Sequence, residues 1–193
     1  MNNNKNTLKI KLFNDIIEIE RNINSGGILM KYYGKMSLAS LLKISLDIMI
    51  VIGVVFYFIM SKQTLMQKAV DMSWGKFLIT YILFTIGRIS IILILFNLRK
   101  IVDSLIKVTP FIRHNVLCLK RISLLSFVIS ICFALNFFIN EQYKNFNIAY
   151  VDSSGIHTDI EFLIFFFVGW FILILSQVFK QAVEVKEENE FTI

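Results

Sequence analysis

The chain lacks every constellation that would run covalent or acid–base chemistry. It has no Ser-His-Asp ordering, no HExxH and no glycine-rich phosphate loop, and Asp47 is the only acid deep within an apolar run, so no two carboxylates there share acid and base roles. These absences argue against an enzyme and against a carboxylate relay for protons. Cysteine and histidine are equally scarce. Cys118 and Cys132 are isolated from each other, and His114 and His157 are distant from one another, which gives neither a disulfide framework nor a metal-ligand cluster, and nothing calls for a cofactor. A secretory leader is missing as well. The first thirty residues are polar and charged, without a short apolar core or a small-residue cleavage site, so the first apolar run is expected to stay in the membrane.

What the chain has in excess is hydrophobicity: 56% of its 193 residues, including 19 Phe. The apolar residues gather in four runs, 37–60, 77–97, 122–140 and 160–179. Each has about the 20 residues that a helix needs to cross a ~30 Å hydrocarbon core. Backbone hydrogen bonds must close within each segment in lipid, which leaves helices or a closed barrel, and uninterrupted apolar runs exclude the barrel's alternation. The expected fold is all-α: an integral membrane four-helix bundle, up-down-up-down, with sequence neighbours adjacent in space. The aromatics need no cofactor to explain them.

Basic residues orient the bundle. Lys5, Lys9, Lys11, Arg21, Lys31 and Lys35 precede the first run, and Arg99, Lys100, Lys107, Arg113, Lys120 and Arg121 fill the segment between the second and third. The other two loops hold Lys62, Lys68 and Lys76, and Lys144. The positive-inside rule then puts both termini and segment 98–121 in the cytoplasm. A net charge of +6 on that side suits the anionic headgroups of the lipid bilayer and does not by itself suggest nucleic acid.

Charges inside the runs are the first candidate site. Asp47 and Arg88 each lie about nine residues from the cytoplasmic end of their run, roughly 13 Å into the core, where a lone charge costs about 3 kcal/mol. The two are expected to pair. Lys43, one turn from Asp47, either snorkels to the interface or joins them in a triad. Such a pair either fixes the packing of the first two helices or lines a polar path for an ion or small ligand. Thr80, Thr85, Ser90, Ser126, Ser130 and Asn136 are expected to hydrogen-bond between helices, and Gly53, Gly87 and Gly169 to allow close approach.

The second candidate site is cytoplasmic. Leu98, Ile101, Val102, Leu105 and Ile106 repeat at helical spacing, so the second helix should continue as an amphipathic segment until Thr109 and Pro110 stop it. The chain restarts at Phe111. This is a helix-turn-helix in shape only, and without a soluble domain around it we read an interfacial elbow with no direct nucleic-acid contact. The tail 180–193 carries four acids against two bases. If helix four extends to about Asn189, Glu184, Glu187 and Glu188 come near Arg99, Lys100, Arg113, Lys120 or Arg121. Exposed pairs of this kind are worth only ~0.2–1 kcal/mol each. The candidate contact surface thus comprises these residues with Pro110, Phe111, Asn115 and Asn189.

Residues 1–36 differ from the rest. Leu8–Phe13 and Ile16–Glu20 alternate around Asn14 and Asp15 as a short hairpin would, and Ser25, Gly26 and Gly27 look like a linker; a mobile basic tail at the membrane surface is the other reading. Met30 and Met36 also allow a later translation start.

Pro110 and Phe111, followed by Asn115, Leu119 and Ile122, together with the ending Phe179-Lys-Gln-Ala-Val-Glu-Val-Lys-Glu-Glu-Asn-Glu-Phe-Thr-Ile193, resemble the bacterial family called domain of unknown function 2975. The resemblance covers about Leu38 to Ile193. It implies a four-pass inner-membrane protein, often encoded beside a small DNA-binding regulator, and no known reaction. The extra N-terminal segment and Ala182, where many members carry Gly, depart from the pattern. The expectation is a non-enzymatic regulatory or partner-binding membrane protein, with that regulator as partner and homo-oligomers possible. The alternatives are a small transporter, channel or efflux component using Asp47 and Arg88, or protection against a membrane-active peptide.

Overall fold

The computed structural model describes residues 37–66, 73–145, 148, 150–152, 155–157 and 159–190. The N-terminal hairpin expected over residues 8–20 and the last three residues of the tail lie outside them. Each apolar run forms a helix that is longer than the run itself: α1 Leu38–Met66, α2 Trp74–Ile106, α3 Arg113–Ile139 and α4 Glu161–Glu190. All four are long and apolar enough to cross a membrane, and the protein is a multi-pass membrane protein of the all-α class. At 1.5 Å per residue, the 33 residues of α2 span about 50 Å, well beyond a ~30 Å core. The surplus lies at the C-terminal ends of α2 and α4, where the sequence turns amphipathic and charged.

Between α3 and α4 the chain makes a 3-10 turn, Gln142–Asn145, and a small antiparallel hairpin of β1 Tyr150–Asp152 and β2 Gly155–His157. Its register pairs Tyr150 with His157, Val151 with Ile156 and Asp152 with Gly155. The sequence reading had no strand here.

Successive helices are antiparallel and pack in the order α1, α2, α3, α4, and among the described residues nothing packs α1 against α4 to close a ring. The four-helix assembly is therefore an open row. The second interior helix, α3, is covered from both sides. Phe133 at its centre meets Phe84 of α2 edge-on, with ring centroids 6.4 Å apart, and stacks on Phe165 of α4 at 5.8 Å. Hydroxyls tie α3 to α4 through backbone carbonyls: Ser123 donates to Gly169 O at 2.8 Å, Ser130 to Phe162 O at 2.7 Å, and Ser176 of α4 to Val116 O at 3.1 Å. Gly169 makes this approach possible, because a Cβ there would stand 3.0 Å from the Phe127 ring.

The other expected small and polar contacts divide. Gly53 has only ordinary contact with Ile92, and a Cβ at Gly87 would meet nothing within 4 Å. Thr85, Ser90 and Ser126 bond carbonyls of their own helices, whereas Thr80 accepts from Asn140 Nδ2 at 3.2 Å across to the end of α3. A hydroxyl in a helix always has its own i−4 carbonyl in reach, so it bonds across only where a neighbour's backbone comes equally near.

Candidate functional site at the elbow end

The C-terminal end of α2, the turn, the start of α3 and the end of α4 come together at one end of the row. Alpha-two ends in a Schellman arrangement: the Val108 amide donates to Leu105 O at 3.1 Å and the Thr109 amide to Ser104 O at 2.9 Å. Val108 sits at φ 58°, in the left-handed region, which glycine normally fills and which costs a β-branched residue about 1–2 kcal/mol. Asn115 holds the turn in place. It is wholly buried, and its Nδ2 donates to Ser104 Oγ at 2.5 Å and to Pro110 O at 2.7 Å, tying the ends of α2 and α3 to the proline between them. Ser104 Oγ in turn donates to Ile101 O at 2.6 Å.

The elbow is braced on α4. The Phe111 ring lies 5.6 Å from that of Phe179, and the Arg113 guanidinium forks onto the Glu187 carboxylate, Nε to Oε1 at 2.9 Å and Nη2 to Oε2 at 2.6 Å. One of the expected pairings between the basic elbow and the acidic tail is thus made. Glu184 instead faces Lys180 on its own helix at 3.6 Å, and Glu188 and Asn189 are exposed near the helix end. Lys120 borders a groove of about 450 Å³ between α3 and α4, with Arg113, Ser176, Lys180 and Glu184. Arg121 and Lys100 border another groove, between α2 and α3.

On the α1 side, a ladder of ion pairs replaces the expected Asp47–Arg88 pair. Asp47 receives the Nε of Arg99, and one turn nearer the elbow Lys43 donates to Asp103 at 2.6 Å, with Lys107 on the other carboxylate oxygen at 2.8 Å. Each step of four along α1 is a step of four back along α2, so antiparallel register sets both rungs. Beside the ladder, Lys43, Arg99, Lys100, Lys107 and His114 border a polar cleft of about 440 Å³. Lys43 therefore joins no triad with Asp47 and Arg88. A few apolar side chains back the ladder, namely Ala39, Leu46 and Val102, with Leu95, Leu98, Leu105 and Ile106 around them.

Among the described residues Arg88 has no ion pair; it lies eleven residues from Arg99 and so about three turns deeper. It faces α3 and not α1. Its guanidinium carbon lies 5.9 Å from the Phe84 ring centroid, its Nη1 is buried without a hydrogen-bond partner, and it borders a cavity of about 60 Å³ with Gly87, Cys132, Phe133 and Asn136. Asp103, Ser104, Ser123 and Ser176 are not among the expected site residues, Asp103 being expected only on a polar face of the amphipathic segment. Only Asp103 left a signal, its spacing of four to Lys107.

At the opposite end, Glu141 follows α3 at φ 56° and takes Lys76 of α2 at 3.3 Å and Lys144 nearby. Hydrogen bonds from Lys144 and then Lys76 hold its carboxyl below the ordinary range.

No curated protein and no solved structure matches the chain. A family model does, one described as "Protein of unknown function (DUF2975)", over residues 75–193. The match leaves out α1, which the sequence resemblance had included, and takes in α2, the Pro110–Asn115 elbow, α3, α4 and the acidic end. On that match, which spans well over half of its residues, the chain belongs to the DUF2975 family.

Proposed function

We infer that the protein is a non-enzymatic component of a bacterial plasma membrane that engages a cytoplasmic regulator through its elbow end. One observation carries this reading. Alpha-four continues to Glu190, well past its apolar stretch, and Phe111 and Arg113 brace that continuation against the elbow, so basic and acidic groups form one fixed platform outside the apolar core. The lysine and arginine bias supports a cytoplasmic side for the platform and both termini. A small DNA-binding regulator is the partner that the family resemblance suggests.

Site-specific photocrosslinking in native membranes tests the reading. Probes at Glu184 and Asn189 stand on the platform without removing its brace. Capture of a DNA-binding regulator, lost in Arg113→Glu and regained when Glu187→Arg is added, is the expected result. Capture of lipid or of the chain itself alone, in wild type and variants alike, would overturn it.

Arg88 favours a second reading, a small transporter or channel, since an unpartnered guanidinium nitrogen beside a cavity is costly in lipid and such groups often mark ion or ligand paths. Asp47 has no part in it. Flux into proteoliposomes that is abolished in Arg88→Met supports this reading, and flux that is absent or unchanged removes it.

A further inference from the structure

The groove between α2 and α3 at the elbow end has the build of a lipid site. Its walls are apolar, from Leu93 and Phe96 of α2 and Leu124 and Leu125 of α3, and it encloses about 410 Å³. Lys100 and Arg121 stand at its mouth, just where the apolar stretches of the two helices end. Both are exposed, and among the described residues neither has an acidic partner, although Lys43, Lys107, Arg99 and Arg113 are all paired at this end. A third feature is independent of the cations. Asn97, one turn deeper on the same wall, is 7% exposed; its Nδ2 donates to Leu93 O at 2.8 Å, but its Oδ1 has no partner.

We propose that this groove binds one anionic phospholipid, with its phosphate between Lys100 and Arg121 and an acyl chain along Leu93, Phe96, Leu124 and Leu125. The charges are complementary. Two unpaired cations at the headgroup level attract a phosphate, and the apolar wall below them offers a chain what the surrounding lipid offers, at a fixed place. A hydroxyl or a water carried in with the headgroup supplies the donor that Asn97 Oδ1 lacks. Electrostatic attraction between a basic helix surface and a leaflet would act anywhere at this end; the groove turns it into a single site. The site rests only on the chain being membrane-embedded, so its failure leaves the partner-binding reading untouched.

Native mass spectrometry of the full chain, released from nanodiscs holding equal phosphatidylglycerol and phosphatidylcholine, reads the site directly. The wild type should retain one phosphatidylglycerol in preference to phosphatidylcholine by about twenty-five-fold, each cation contributing roughly fivefold. Lys100→Gln with Arg121→Gln should abolish the preference, whereas the charge-matched Lys180→Gln with Lys186→Gln should keep it. Leu124→Trp, which fills the groove and leaves both cations, should lower retention without changing the fold read by circular dichroism. Equal loss in both charge pairs would reveal a diffuse surface attraction and overturn the proposal. So would retention unchanged by Leu124→Trp, or displacement of the lipid by millimolar inorganic phosphate, which would make the site one for free phosphate.

Discussion

Alpha-one and α3 begin as equals, two apolar runs of similar length, and end in opposite situations. In the apolar window of α3, 44% of residues are buried within the protein, against 11% in that of α1. Alpha-three is held to α4 by ring stacking and by serine hydroxyls reaching neighbouring carbonyls, and to α2 by the edge-on Phe84–Phe133 contact and by Asn115 and Asn140 near its ends, whereas among the described residues α1 packs only on α2, through ion pairs at its elbow end and a few apolar residues. In lipid there is no hydrophobic gain from bringing helices together, so close packing needs small residues and polar groups where two backbones meet. Serines and Gly169 supply these along α3 and α4. Alpha-one carries Ala39, Gly53 and several serines too, but among the described residues none of those serines donates to α2, and its polar contacts with α2 are the ion pairs at the elbow end, whose side chains stay partly exposed.

The largest test of this contrast concerns Arg88, whose buried Nη1 at the α2–α3 contact has no hydrogen-bond partner. Replacement by Met should raise stability by up to about 3 kcal/mol, the cost of an isolated charge in the bilayer on insertion scales. Unfolding in mixed micelles measures it, and a loss of stability would show that Arg88 has a counter-charge the chain alone does not supply. Next comes Gly169→Val, which places methyl groups against the Phe127 ring and should cost about 1–3 kcal/mol by overpacking. Thermal unfolding unchanged by this substitution would mean that α3 and α4 are not in close contact.

Smaller still is the ladder. A double-mutant cycle of Asp47→Asn and Arg99→Gln should give a coupling of about 1 kcal/mol or less, because both side chains remain some two-fifths exposed, at 43% and 41%. The same cycle on Asp47 and Arg88 should give none, and coupling there would restore the pair expected from depth. The smallest effect is at Glu141. Its carboxyl is held below the ordinary glutamate range in the folded chain, by Lys144 and then Lys76, so the contribution of these contacts is present above that range and disappears as pH falls through the lowered value. Carboxyl resonances followed by NMR should place its midpoint below that of an unstructured glutamate, and an ordinary midpoint would show that Lys76 does not join α2 to the end of α3.

The Asp47 pairing shows how far a sequence can be read. Counting residues from the edge of an apolar run gave Asp47 and Arg88 similar depths, but α2 runs on to Ile106, and the contact with α1 slides toward that end. Arg99 and Arg88 lie about three turns apart on one helix, so an error in level exchanges one for the other while leaving the spacing argument intact. The Pro110 elbow was legible because proline stops a helix by its own covalent structure. The clamp from Asn115 to Ser104 was not, since it depends on how the two helices meet.

The order of apolar residues along the chain determined that it crosses a membrane as helices, because lipid leaves a backbone no other way to satisfy its hydrogen bonds, and Pro110 determined where the elbow falls. Tertiary structure decided which faces meet: that the helices form a row with α3 inside it, that Arg99 and not Arg88 answers Asp47, and that Lys100 and Arg121 border one apolar groove. Every span is apolar nearly all round, so hydrophobicity carries no preference among its faces, and the choice falls to a few small and polar side chains whose partners only the assembled helices bring within reach.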